Sequence, residues 1–266
     1  MINIYAQKGG SGNTTYLLLH GLGCTSDVWR GLISAIEGSS AGKWITPDMR
    51  GHGRSDWAEA YGLGYHAADM APLLEGEDRI VIVGHSMGAL VAMVLATGIF
   101  DFSITAVLGI GPKHDWPAQE REKLNTFAKK PIRWFKTREQ AVERYLLVSG
   151  LKGLLDVDDE SLSSAIFQGS EGFRLAADPK TVLVGGPAAG LFAAASYSSP
   201  IRLACGEKDN VTDIDGLRTM DPDAIVLKGL SHNAHVEDPA AVWKMMQNLE
   251  ANIIQLNNLR VGFTKG

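Results

Sequence analysis

The sequence predicts an α/β fold, a mostly parallel sheet of about seven strands with helices on both faces and an inserted helical cap. Three observations predict it. Short apolar runs recur with helical patterns between them, the layout of buried parallel strands joined by crossover helices. One run, Ile80-Val81-Ile82-Val83, feeds directly into Gly84-His85-Ser86-Met87-Gly88 and then into the apolar helix pattern of Ala89 to Ala96. Between Ile110 and Pro200 the rhythm changes: no convincing buried strand occurs, and aromatics from Trp116 to Phe173 lie in helical patterns.

In chain order the expected strands are Asn3 to Gln7, Thr15 to His20, Lys43 to Pro47, Arg79 to Gly84, Ile104 to Ile110, Ile201 to Gly206 and Ala224 to Leu227. Only Lys8-Gly9-Gly10-Ser11-Gly12-Asn13 separates the first two, so the sheet should open with an antiparallel hairpin before turning parallel. That glycine-rich link reads as a turn, because no Lys-Ser/Thr pair follows to make it a phosphate loop. The segment after Ile110 reads as several helices broken at Pro117, Pro131, Gly150, Gly153 and Pro179. The expected division is a core domain of residues 1–111 and 199–266 with a cap of residues 112–198. Lys113 to Lys152 is basic, a pattern that ordinarily marks a solvated face.

With 45% hydrophobic and 21% charged residues the 266-residue chain is an ordinary globular composition, and one large domain is expected. A formal charge of -5 offers no general attraction for nucleic acid. The N-terminus lacks a basic-then-apolar leader, and the small apolar run from Val182 to Ala195 is broken by Gly185, Gly186, Pro187 and Gly190. These features imply a cytoplasmic protein that does not span a membrane. Cys24 and Cys205 are expected as free thiols, a large core making a disulfide unnecessary.

The chemistry centres on Ser86. Small residues at Gly84 and Gly88 let a strand and a helix pass closely enough to hold a serine in a strained turn between them. A hydroxyl is a poor nucleophile near neutrality and needs a base, an orienting acid and donors for developing negative charge. Leu17-Leu18-Leu19 runs into His20-Gly21-Leu22-Gly23, where the Leu22 amide, with that of Met87, can form an oxyanion hole. Asp209 follows the strand Ile201 to Cys205, at the strand end where α/β folds gather reactive groups; Asp213 and Asp215 fit better as acids in the first turn of the next helix. His232 follows the last strand, giving the order serine, acid, histidine.

These segments together resemble the α/β-hydrolase superfamily over nearly the whole chain. His20 to Gly23 resembles its oxyanion segment, and Asp48-Met49-Arg50-Gly51-His52-Gly53-Arg54-Ser55 its D-x-R-G-x-G-x-S segment. Gly84 to Gly88 resembles the nucleophile elbow, Gly206 to Asp209 the acid loop, and His232 to Pro239 the histidine loop. The resemblance implies a serine hydrolase that cleaves a small carboxylic ester, lactone or thioester through an acyl-enzyme at Ser86. A serine at that position argues against dehalogenase and epoxide hydrolase chemistry, which the resemblance ties to a carboxylate.

Two other readings stay open. The same fold hosts carbon-carbon hydrolases and lyases, and a non-catalytic small-ligand receptor would retain it without turnover. No cofactor is expected: the Rossmann glycine pattern is absent, and His232 and His235 lack the company of an H-E-x-x-H motif that would suggest a metal. His20, His52 and His85 read as loop-fixing residues, His66 and His114 as peripheral. The expected partner is a small ester-like molecule, and Trp116 and Trp134 of the cap are the candidate substrate-binding residues because the catalytic loops themselves are mostly polar or small.

Overall fold

The structure is a computed structural model that describes residues 2–263, with side chains through residue 253. Seven strands form the main sheet: β1 (Ala6–Gly10), β2 (Thr15–Leu19), β3 (Lys43–Pro47), β4 (Ile80–His85), β5 (Ile104–Ile110) and, after a two-stranded excursion, β8 (Ile201–Gly206) and β9 (Ile225–Leu227). Their spatial order is β1-β3-β2-β4-β5-β8-β9, and every neighbouring pair except β1 with β3 is parallel.

Period-two alternation splits the strand side chains between two apolar layers. Tyr16, Leu18, Val81, Val83 and Leu108 face one layer with Leu32 and Ile36 of α1 (Arg30–Gly38). Leu17, Leu19, Ile80, Ile82 and Val107 face the other, with Met70 of α2 (Leu63–Leu74) and Leu90 of α3 (Met87–Leu95). All residues of β2 and β4 are buried, as parallel strands covered on both faces require.

The opening of the sheet differs from the expected hairpin. β1 lies at Ala6–Gly10 and pairs antiparallel with β3, Ala6 opposite Pro47 and Gly10 opposite Lys43, while β3 pairs parallel with β2. The intervening link of four residues, 11–14, reaches ~13 Å when extended, enough to step across two strand spacings of ~5 Å each. A turn-like composition therefore fits a step over a third strand as well as a hairpin.

The segment between β5 and β8 carries α4 (Ala118–Ala128), α5 (Arg138–Val148) and a half-exposed hairpin of β6 (Ile166–Gly169) and β7 (Gly172–Leu175), followed by α6 (Ala188–Ser198). A purely helical insertion was the expectation; the hairpin escapes an apolar-run reading because none of its residues is fully buried. α6 packs with the core layer through Ala188 and Ala195, so it belongs physically with α3. The chain closes through α7 (Ile214–Arg218), α8 (Ala234–Glu237) and α9 (Pro239–Phe263). Among the described residues no helix is long and apolar enough to cross a membrane, and Cys24 and Cys205 are buried free thiols. His66, expected at the periphery, is fully buried, because α2 turns it inward beside Tyr61.

Candidate active site

Ser86 stands between β4 and α3 at φ 50°, ψ -112°, a conformation that costs a non-glycine residue about 1–3 kcal/mol. The neighbouring glycines permit it. A Cβ on Gly84 would lie 2.4 Å from the Gly88 carbonyl oxygen, and one on Gly88 would lie 2.1 Å from that of Leu19. The Ser86 N–H donates to the Ile110 carbonyl at 2.8 Å, anchoring the turn to β5.

At the ends of β8 and β9 the acid and histidine loops meet. Asp209 is fully inaccessible as a side chain and sits 2.9 and 3.0 Å through its two oxygens from His232 Nδ1. It also accepts from the N–H groups of Val211 at 2.8 Å and Thr212 at 3.0 Å, so the carboxylate is fixed before it meets the imidazole. Asp213 serves otherwise: it caps α7, accepting from Gly216 N–H at 2.7 Å, and Asp215 lies in that helix's first turn. His235 points into the core, with its ring 4.4 Å from that of Trp29 and both nitrogens lacking partners. Burial, with His232 beside it, lowers its pKa to about 3.

Two more histidines hold the loop around Leu22. His20 Nε2 accepts from the Met49 N–H at 2.9 Å, which leaves Nδ1–H to donate to the Gly21 carbonyl at 2.8 Å. His52 Nε2 accepts from the Gly23 N–H at 3.0 Å, and its Nδ1–H donates to the Arg50 carbonyl at 3.0 Å. The peptide groups on both sides of Leu22 are thereby pinned by neutral imidazoles, and burial keeps both below the ordinary histidine pKa, His52 at about 3. Beneath them, buried Asp48 accepts from Ser26 N–H at 2.7 Å and Arg54 Nε at 2.7 Å. Burial pushes Asp48 up, but the Arg54 guanidinium and the N–H donors outweigh it and hold the carboxyl below its usual range.

Ser86 and His232 line one cleft of about 450 Å³ with Gly21 and Leu22. Its apolar wall comes from Leu147 and Val148 at the end of α5 and from Val211, with Lys208 at the rim. Trp116 and Trp134 are not among its lining residues, and this corrects the expected aromatic wall. Trp116 faces a separate cleft of about 600 Å³ with Arg121 and Leu183, its ring 5.4 Å from Lys113 Nζ. Trp134 is drawn to the β6–β7 hairpin, where it packs on Phe167 at 6.3 Å and on the Arg174 guanidinium at 5.7 Å. The α5 wall did leave a trace in the sequence: Leu146-Leu147-Val148 places three consecutive apolar residues on a helix, of which one face can bury only part. Among the described residues no group of three or more His, Cys, Asp or Glu is arranged to hold a metal ion.

This arrangement has known relatives. A thioesterase domain from the curacin biosynthetic pathway superposes with a TM-score of 0.76 over 92% of this chain and 95% of its own, at 18% identity, a likeness of fold. The lipase LipV of Mycobacterium tuberculosis is 34% identical over 99 residues, covering 36% of this chain and 37% of its own length. The pimeloyl-[acyl-carrier protein] methyl ester esterase of Pectobacterium carotovorum is 29% identical over 158 residues, covering 57% and 58% respectively. The chain thus spans less than two thirds of either curated relative. Residues 16–244 match the alpha/beta hydrolase family, which takes in the elbow, the acid loop and the histidine loop described above, and the chain belongs to that family.

Proposed function

We propose that the protein is a serine hydrolase that cleaves a small carboxylic ester by acyl transfer. Ser86 Oγ attacks the ester carbonyl while His232 Nε2 takes its proton; the Leu22 and Met87 amides receive the oxyanion. The tetrahedral intermediate collapses, the alcohol leaves with the proton from His232, and the acyl group stays on Ser86. Water, deprotonated by the same imidazole, then attacks the acyl-enzyme and releases the carboxylic acid and free serine. The observation that carries this reading is the His232 Nδ1 contact to Asp209 at 2.9 Å, made by a histidine that shares a cleft with a serine held at φ 50°. The bond requires Nδ1–H, which leaves Nε2 bare to accept a proton.

The activities of the relatives, a lipase and a methyl ester esterase, support the ester reading. A cleft of about 450 Å³ suits compact acyl groups more than long-chain triglycerides. The test is a panel of p-nitrophenyl esters of increasing acyl length, with a lactone and a thioester, beside labelling by a fluorophosphonate. Turnover of the short esters and a label on Ser86 are expected. A label on Ser231 instead, or saturable binding without any turnover, would overturn the assignment.

The base and acid carry their own expectation. His232→Ala should lower kcat by ~10⁴-fold or more, whereas His235→Ala should act mainly on stability, because His235 makes no polar contact. Asp209→Asn should cost far more activity than Asp213→Asn, because an asparagine oxygen at position 213 still accepts from the Gly216 N–H at the start of α7. Comparable kcat losses within either pair, measured on folded protein, would reassign the roles.

A further inference from the structure

We propose that His85 is a positioning residue for the base: its Nε2–H, donated to the main-chain carbonyl of His232, fixes where the His232 imidazole stands relative to Ser86. This rests on the acyl-transfer reading above. The Nε2 to oxygen distance is 2.9 Å. A carbonyl only accepts, so Nε2 must carry the hydrogen, and a neutral imidazole has no second one. Nδ1 is consequently bare, and it is buried without a partner. It lies so close to the backbone that a Cβ on Gly21 would stand 2.7 Å from it. The ring therefore commits its single N–H to the backbone of the base. Burial, with His235 and His232 beside it, holds His85 well below the ordinary histidine pKa, which keeps the ring neutral and this hydrogen bond in one sense.

Packing removes the ring's freedom. Its centroid lies 4.7 Å from that of His232 and 4.3 Å from that of His235, which is in turn backed by Trp29. His85 also closes β4 immediately before Ser86. The other ties on this loop come from elsewhere: Asn233 Nδ2 donates to the Ser149 and Gly150 carbonyls, and Ser231 N–H donates to Glu237. Among the described residues, the side-chain tie from His85 is the one that joins the base's main chain to the strand carrying the nucleophile. The Nε2–H points at a carbonyl and not at the imidazole, so His85 moves no proton. Its contribution is geometric, and its loss should appear in kcat and not in KM.

The experiment compares His85→Gln, His85→Asn and His85→Met with the wild type on p-nitrophenyl acetate, with melting curves to establish folding. A glutamine amide nitrogen reaches about as far as Nε2 and can donate to the same carbonyl, whereas asparagine falls one methylene short. Asn and Met at position 85 should lower kcat by ~10–100-fold with KM within about twofold of wild type, and Gln should restore kcat to within about threefold. The Gln and Asn pair decides the matter even where the Met variant fails to fold. Equal kcat for the Gln and Asn variants, whether near wild type or far below it, would overturn the tether. Wild-type protein without turnover would instead overturn the ester reading itself.

Discussion

Ser86→Ala should yield a protein that melts within a few degrees of the wild type and hydrolyses p-nitrophenyl acetate ~10⁵–10⁶-fold more slowly. The retained fold follows from where the turn draws its strength. The elbow is held by the Ser86 N–H to Ile110 carbonyl bond and by the buried apolar residues of β4 and α3, none of which involves the hydroxyl. Alanine meets the same positive φ as serine, so the strain is unchanged. On the proposed mechanism the lost rate follows from removing the atom that would form the acyl-enzyme, while the Leu22 and Met87 amides and the cleft itself remain. A folded Ser86→Ala protein that keeps more than about one hundredth of wild-type kcat would show that the serine is not the nucleophile.

Acid should destabilise the protein as pH falls below the ordinary histidine range, above the range of carboxylate titration. Five histidines, His20, His52, His66, His85 and His235, are buried and held below the ordinary value of 6.5, with burial the main cause in each. The unfolded chain protonates them as pH falls through about 6.5, whereas folded His52 and His235 stay neutral until about 3. The unfolded state therefore binds more protons, and stability falls with pH across that window and is flat above it. Each group that stays neutral in the fold costs ~1.4 kcal/mol per pH unit, so His52 and His235 together approach ~3 kcal/mol per unit, and His20, His66 and His85 act in the same direction. Far-UV circular dichroism against pH checks this. His66→Leu, which removes a ring with no polar partner on either nitrogen, should make the transition shallower and move it to lower pH. A wild-type midpoint below pH 4 would mean that the carboxylates, Asp48 among them, and not the histidines, govern acid stability.

The contrast between what was and was not legible in the sequence has a physical basis. β4, the elbow and the loops carrying Asp209 and His232 were readable because their residue types are forced: steric closeness demands Gly84 and Gly88, and a buried parallel strand demands an unbroken apolar run. The pairing of β1 was not, since the residues of a link specify that the chain turns but not which strand will come to lie in the gap. The segment between β5 and β8 was least readable. Trp116 and Trp134 are large and apolar enough to line a pocket, yet cationic neighbours, Lys113 and Arg174, hold them elsewhere through ring contacts that leave no pattern along the chain. The cleft wall went instead to Leu147 and Val148, whose position depends on where α5 docks. His66 shows the converse error: a polar residue type on an α2 face that the tertiary fold buries completely.

Asn233 joins two parts of the molecule that arise from different stretches of chain. Its side-chain amide donates to the Ser149 carbonyl at 3.0 Å and the Gly150 carbonyl at 3.1 Å, just past the end of α5, while its own backbone follows directly on His232. An inserted segment of this kind is a natural target for exchange between homologous enzymes, since specificity can be transplanted with it. Here such a chimaera would have to reproduce the path of the chain at 149–150 and not only the wall at Leu147 and Val148. A donor segment whose carbonyls arrive an ångström away would drag the Asn233 amide, and with it the neighbouring His232, out of line. Recombination at this junction would then fail in the chemical step even where the new cleft binds its substrate well.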